Sequence, residues 1–192
     1  LMDRPIKVTT DASFANGTND REACPKTWYA VLVQMNAEKK VSRLLDKIGI
    51  ENYLPVQQEI HQWSDRRKKI DRVVIPMVVF VHVEDKALQD IRNYSFISKV
   101  LAYPGQRKPT AIPNKQILRL KFMLSHAETE VSLTDLQLEV GEEVEIIRGP
   151  LRGLSGELCL VQENRPMVAV RIEGLGFACV NVAKKDVVLV NH

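Results

Sequence analysis
Four histidines and three cysteines are the side chains of this 192-residue chain best suited to metal or nucleophilic chemistry. Their spacing suits neither. His61, His82, His126 and His192 include no i, i+4 pair and none stands in a Cys-paired zinc spacing. Cys24, Cys159 and Cys179 fit no ligand pattern, and an odd count makes a poor disulfide framework. Cys159 and Cys179 lie in strand-like runs and read as small buried hydrophobes. No phosphate loop, nucleophile elbow or paired-carboxylate constellation is present. The expectation is a binding protein that is not an enzyme and takes no cofactor or metal.

The cations are better organised. Arg66, Arg67, Lys68 and Lys69 crowd one short polar loop, and Lys40, Arg43 and Lys47 fall at i, i+3 and i+7 of one helical pattern. From residue 26 to 126 there are 18 Lys+Arg against 9 Asp+Glu, a balance of +9, whereas residues 127–192 hold 6 against 11, a balance of −5. The net charge of +3 therefore hides a basic half joined to an acidic one, which implies two surfaces with different partners. The basic half suits phosphates and the acidic half does not.

The elements that carry these charges follow from periodicity. Residues 1–25 are polar and aperiodic and read as a flexible extension. TWYAVLVQM makes a strand. Asn36 is placed to cap a helix with Val41, Leu44, Leu45 and Ile48 on one face, and Gly49 stops it. YLPVQQEIHQW and IDRVVIPMVVFVHV flank SDRRKK as a long β-hairpin, with Pro76 marking a bulge or unpaired position. Trp28 and Tyr29 read as core. A short helix at about 85–93, a strand-like SKVLAY and a proline-punctuated loop follow. Pro113 stands at N1 of a helix to about Ser125, with Ile117, Leu120 and Leu124 on one face. The order β-α-β-β-α-β-α predicts a mixed or antiparallel sheet with packed helices over 26–126. A linker at 127–138 leads to 139–192, where EEVEII, GELCLVQ, MVAVRI, FACVNV and DVVLV predict a small antiparallel β-barrel. The fold class is α+β. No apolar run approaches the ~18 residues of a membrane span, and no basic-then-apolar leader is present, so the expected location is cytoplasmic.

Within the second half, Val144 and Ile146 alternate on a strand, Gly149-Pro150 makes a tight turn, and Gly153 and Gly156 allow bends that a Cβ would obstruct. This stretch resembles a KOW motif. In the first half, TWYAVLVQMNAEKKV and VIPMVVFV resemble the opening and the central strand of an NGN domain. NGN, linker and KOW in that order is the architecture of the NusG family of transcription elongation and antitermination factors. The long hairpin and short extension are most similar to its specialised UpxY and RfaH paralogues, which implies work on surface-polysaccharide operons.

The resemblance implies docking on the clamp helices of the largest RNA polymerase subunit, through Leu32, Val78, Phe80 and Tyr103. Leu32 and Val78 read equally as core or interface; Phe80 and Tyr103 read as interface. Each apolar side chain buried on a partner would contribute ~1.5–3 kcal/mol. The resemblance also places Lys40, Arg43, Lys47 and Arg66–Lys69 beside upstream or non-template DNA, and offers a small-subunit ribosomal protein or a termination factor as KOW partner. The chain departs from the pattern at Val78, where an aromatic is usual, at Ala87-Leu88-Gln89, where RfaH has a His-Thr-Thr contact, and at the DNA-reading residues, which are not matched. The competing expectation is a KOW-containing RNA-binding or ribosome-associated structural protein, which the acidic tail disfavours.

Overall fold
In the computed structural model, which describes residues 25–62, 67–134, 140–161 and 165–190, β-branched and aromatic runs become strands and the 3.6-residue patterns become helices. The expected flexible extension lies outside the described residues but for Pro25.

The N-terminal half is built on a four-stranded antiparallel sheet with strand order β2-β5-β1-β6. These strands are β1 (Thr27–Leu32), β2 (Asn52–Tyr53), β5 (Val78–Val83) and β6 (Lys99–Val100). Strands β3 (Val56–Gln62) and β4 (Arg67–Val73) form a separate hairpin. The long apolar run of the sequence thus breaks in two. Val74 to Met77 turn between β4 and β5 with Met77 at φ 62°, and Pro76, which has no N–H to donate, sits in that turn. Strand β5 is central and covered on both faces, as its unbroken apolar composition predicts.

One face of this sheet carries α1 (Glu38–Lys47) and α2 (Ala87–Arg92), which bury Val41, Leu45, Leu88 and Ile91 against Tyr29, Val31, Val79 and Val81. The helix start differs from expectation. Asn36 adopts φ 62° and Ala37 holds the cap position, so Asn36 shapes the turn rather than capping the helix. Glu38 is buried instead and accepts from the Met77 backbone N–H at 2.8 Å, locking α1 to the turn before β5. Gly49 follows the helix at φ 77°, the left-handed stop anticipated for it.

The other face carries α3 (Asn114–His126), whose Ile117, Leu120, Met123 and Leu124 are buried. Pro113 precedes the helix at its cap, one position earlier than N1.

The C-terminal half is a six-stranded antiparallel sheet ordered β12-β8-β9-β10-β11-β7. Five strands are those the sequence marks: β8 (Val140–Ile146), β9 (Ser155–Val161), β10 (Arg165–Ile172), β11 (Gly176–Asn181) and β12 (Val187–Leu189). The sixth, β7 (Val131–Thr134), comes from the stretch expected to be linker and pairs with β11. The segment leading into β7 is held as well. Gln57 of β3, 4% exposed, donates to the Thr129 carbonyl at 2.7 Å and accepts from the Val131 N–H at 3.0 Å. Arg72 of β4 reaches the Val131 carbonyl at 3.1 Å and pairs with Glu59. The base of the hairpin therefore clamps the connection.

The two halves share one apolar cluster. Trp28, Phe80 and the buried residues of α3 belong to it together with Val144, Ile146, Leu151, Val168, Val170 and Ile172. Around it lie polar contacts. Arg119 of α3 pairs with Glu143 of β8 at 3.0 Å, and the β10–β11 turn places Glu173 between Tyr103 and Gln116.

Candidate functional site
Register decides which side chains of β1 and β5 can act together, because alternate residues of a strand point to opposite faces. Leu32 stands opposite Val78, Ala30 opposite Phe80, and Trp28 opposite His82. These six share the face that carries α3. Strand β2 adds Tyr53, which pairs with Phe80 in register and stacks on it with ring centroids 6.2 Å apart. Tyr53 is a residue that sequence reasoning missed, since a two-residue strand has no period to betray it. It supplies a second aromatic beside Phe80 on the face where Val78 stands in place of the family's usual aromatic.

Burial separates the four expected docking residues. Val78 is 3% exposed and Phe80 0%, so both lie beneath the surface with Leu120, Met123 and Leu124 of α3 in the same cluster. Leu32 and Tyr103 are half-buried. The interface reading for Phe80 does not fit this packing, and of the four residues Leu32 and Tyr103 are the two that remain accessible.

Tyr103 is held beside β1 because the chain on either side of β6 tracks that strand. Ser98 N–H donates to the Leu32 carbonyl at 2.8 Å, Leu101 N–H to Ala30 at 2.9 Å, and Ile112 N–H to Trp28 at 2.9 Å. The Tyr103 hydroxyl donates to the Glu173 carboxylate. That bond, with burial adding to it, raises the Tyr103 pKa above the ordinary phenol value. Gln116 secures the same turn, donating to Glu173 Oε1 at 3.2 Å and accepting from the Glu173 N–H at 2.9 Å. Close by, Thr110 is 7% exposed and its hydroxyl has no hydrogen-bond partner among the described residues. Gly174 holds φ 77°, a conformation that strains any other residue, and an added Cβ would lie 3.0 Å from Leu101 Cδ2 and 3.3 Å from Thr110 Cγ2.

On the opposite side of the sheet, Lys40, Arg43 and Lys47 are exposed on α1. Lys39 of the same helix donates to the Asp71 carbonyl of β4 at 2.7 Å, which brings the basic helix against the hairpin. Lys69 is exposed on β4, and Arg67 and Lys68 stand opposite Gln62 and His61 in the hairpin register. Arg66 lies outside the described residues.

The glycine-rich segment of the second half behaves as its spacing predicts. Val144 and Ile146 are buried on β8. Gly149-Pro150 opens a turn closed by the Arg152 N–H on the Gly149 carbonyl at 3.1 Å. Gly153, at φ 89°, donates to the Ile146 carbonyl at 2.7 Å. A Cβ on Gly156 would fall 2.6 Å from the Ala169 carbonyl oxygen and 2.6 Å from Val168 Cγ1, so only glycine lets β9 approach β10 here.

Trp28 is 3% exposed, stacks on His82 at 4.6 Å and donates to Asn114 Oδ1 at 3.1 Å, in keeping with a core role. Cys159 and Cys179 are free and buried, and Cys24 lies outside the described residues. Among the described residues no group of His, Cys, Asp and Glu could hold a metal ion, and no helix is long and apolar enough to cross a membrane.

Residues 26–121 match the family described as "Transcription termination factor nusG". The transcription termination/antitermination protein NusG of Staphylococcus carnosus is 24% identical over 168 residues, covering 81% of this chain and 90% of its own. The protein of the same name from Staphylococcus aureus matches to the same extent. A solved structure titled "Domain interaction in Thermotoga maritima NusG" aligns over 86% of this chain and 98% of its own at 21% identity, with a TM-score of 0.47.

Proposed function
The chain belongs to the NusG family of transcription termination/antitermination factors, and from that premise we propose that it binds RNA polymerase through its N-terminal half and suppresses pausing or termination. The supporting observation is that, of the four positions where the family resemblance puts the clamp-helix contact, Leu32 and Tyr103 are half-buried and accessible while Val78 and Phe80 are buried on the same strand face as Leu32. Apolar anchors of this kind supply most of the energy of a protein interface. Exposed Lys40, Arg43, Lys47 and Lys69, with Arg67 and Lys68 of β4 and with Arg66, which lies outside the described residues, then serve upstream or non-template DNA. The acidic C-terminal half suits a basic protein partner, either a small-subunit ribosomal protein or a termination factor. The KOW resemblance of Val144 to Gly156 supports that assignment. The extended β3–β4 hairpin supports a specialised paralogue of the UpxY or RfaH type, acting on surface-polysaccharide operons. The reading assigns the chain no catalysis.

The test is retention of core polymerase by immobilised protein. Leu32→Asp and Tyr103→Asp are expected to lose polymerase while keeping a cooperative thermal transition. Full retention by both folded variants removes the docking assignment.

A further inference from the structure
Three of the large apolar side chains exposed among the described residues, Ile147 (37%), Val188 (43%) and Leu189 (52%), gather at one edge of the C-terminal sheet. Val188 and Leu189 belong to β12, the outermost strand, and Ile147 follows β8 beside it. The Ile147 N–H donates to the Asp186 carbonyl at 2.8 Å and the Val190 N–H to the Glu143 carbonyl at 2.9 Å, with Val188 opposite Glu145 between them. Hydrogen-bonded pairs alternate along an antiparallel ladder, so residues 186, 188 and 190 direct their backbone groups to β8. Val187 and Leu189 turn theirs outward, and among the described residues no strand pairs with that edge. Proteins blunt an exposed edge with charge, proline, a very short strand or a cover. Edges elsewhere in this chain follow that rule. Strands β2 and β6 are two residues long, β4 carries Arg67, Lys68 and Lys69, and Gln57 and Arg72 bind the backbone of Val131 in β7. Strand β12 reads Val-Val-Leu, with no charge, proline or cover.

We propose that β12 is a homodimer interface, pairing antiparallel with β12 of a second copy across a two-fold axis at Val188. The edge is complementary to itself in that register. The Leu189 N–H of each copy meets the Val187 carbonyl of the other, and Val188 stands against its symmetry mate in the closely spaced, non-hydrogen-bonded position. Leu189 then packs on Val187 of the other copy on one face of the joined sheet, and Ile147 flanks the Val188 pair on the other. A second copy is a better occupant than an unstructured peptide. So short an edge forms few backbone bonds, and a peptide gives up backbone entropy at every residue it aligns, whereas β12 is already extended. The interface is small, so the dimer is weak, half-formed at roughly 0.1–1 mM. Residues 127–192 carry a balance of −5, so the two acidic halves repel, and added salt strengthens the dimer by screening that repulsion.

Sedimentation equilibrium of the 192-residue chain from ~10 µM to ~1 mM, at low and at high salt, tests the proposal. Wild type is expected to pass from monomer toward dimer over that range, and further at high salt. Val188→Lys and Val188→Glu alter a side chain that is already 43% exposed, so both are expected to keep a cooperative thermal transition. Each should weaken self-association ~5-fold or more, because like charges then face each other at the axis. An equimolar mixture of the two should regain association, because opposite charges meet there instead. Wild type that stays monomeric throughout overturns the proposal. So do dimers that persist in both charge variants, and a mixture that associates no better than either variant alone. Dimers that dissolve as salt rises belong to an ion-paired interface elsewhere and overturn it too. No polymerase is present in this assay, so its outcome is independent of the clamp-helix reading.

Discussion
Replacing Glu173 by alanine tests how the two halves hold each other. The Glu173 carboxylate accepts from the Tyr103 hydroxyl and from Gln116 Nε2, and these bonds pin the β10–β11 turn to α3 and to the loop beside β1. Hydrogen bonds to a charged group contribute ~1.5–3 kcal/mol each when buried. Both donors here are only partly buried and regain water if the turn retreats, so the pair together is worth ~2 kcal/mol at most. At 1.4 kcal/mol per decade, Glu173→Ala shifts the balance away from the docked arrangement by up to ~30-fold. Thr110→Val should act in the opposite direction. The buried Thr110 hydroxyl has no partner among the described residues, and removing an unsatisfied polar group recovers ~1 kcal/mol, or ~5-fold in favour of docking. Hydrogen exchange at the Thr110 and Ile112 amides, which donate to Leu101 and Trp28, reads the local opening. Exchange should quicken in Glu173→Ala and slow in Thr110→Val, while the titration of Tyr103 in Glu173→Ala falls back toward the ordinary phenol range. Shifts of the same sign in both variants, or no change in the Tyr103 titration, would refute the proposed role of this contact.

Further outcomes follow from the packing. Phe80→Ala, at a side chain with no exposure, should cost ~3–5 kcal/mol and lower the thermal midpoint sharply, whereas Tyr103→Ala should leave most stability in place. Gly156→Ala should destabilise the C-terminal sheet by ~1–3 kcal/mol or more, read as loss of its transition in a denaturant titration, because the added methyl meets a carbonyl oxygen at 2.6 Å. The His82 ring, hydrogen-bonded to Glu51 at 2.8 Å, holds the Glu51 carboxyl below the usual carboxylate range, with smaller contributions from Lys26 and Lys121. A depressed carboxylate contributes stability above its unfolded value and loses it as pH falls through the folded one. Glu51→Gln should therefore flatten the acid limb of a stability-versus-pH profile, and an unchanged limb would show that the pair contributes nothing.

Much of the fold is local and was open to reading from the chain alone. Strands β1 and β5, the apolar stripes of α1 and α3, the stop at Gly49 and the turn around Gly149 to Gly156 each depend on residue types within a few positions of one another. Periodicity and backbone sterics act over that range. Where two local signals compete, sequence reasoning goes astray. Asn36 suits a helix cap and a left-handed turn equally, and the buried bond from Met77 to Glu38 selects the turn.

The candidate site belongs to the other class. Period 2 places Leu32, Val78 and Phe80 on one face, but only the packing of α3 and the C-terminal sheet decides that Phe80 lies under that face and Leu32 at its rim. Residues 127–134 read as linker because they are short of apolar residues. They become ordered through Gln57 and Arg72, more than fifty positions earlier in the chain. Glu173 meets Gln116 across 57 positions. Such contacts arise when the whole chain closes on one core, since that is where the loop-closure entropy of distant segments is recovered. The sequence by itself settles which elements form, and the tertiary structure settles which of their faces remain available to a partner.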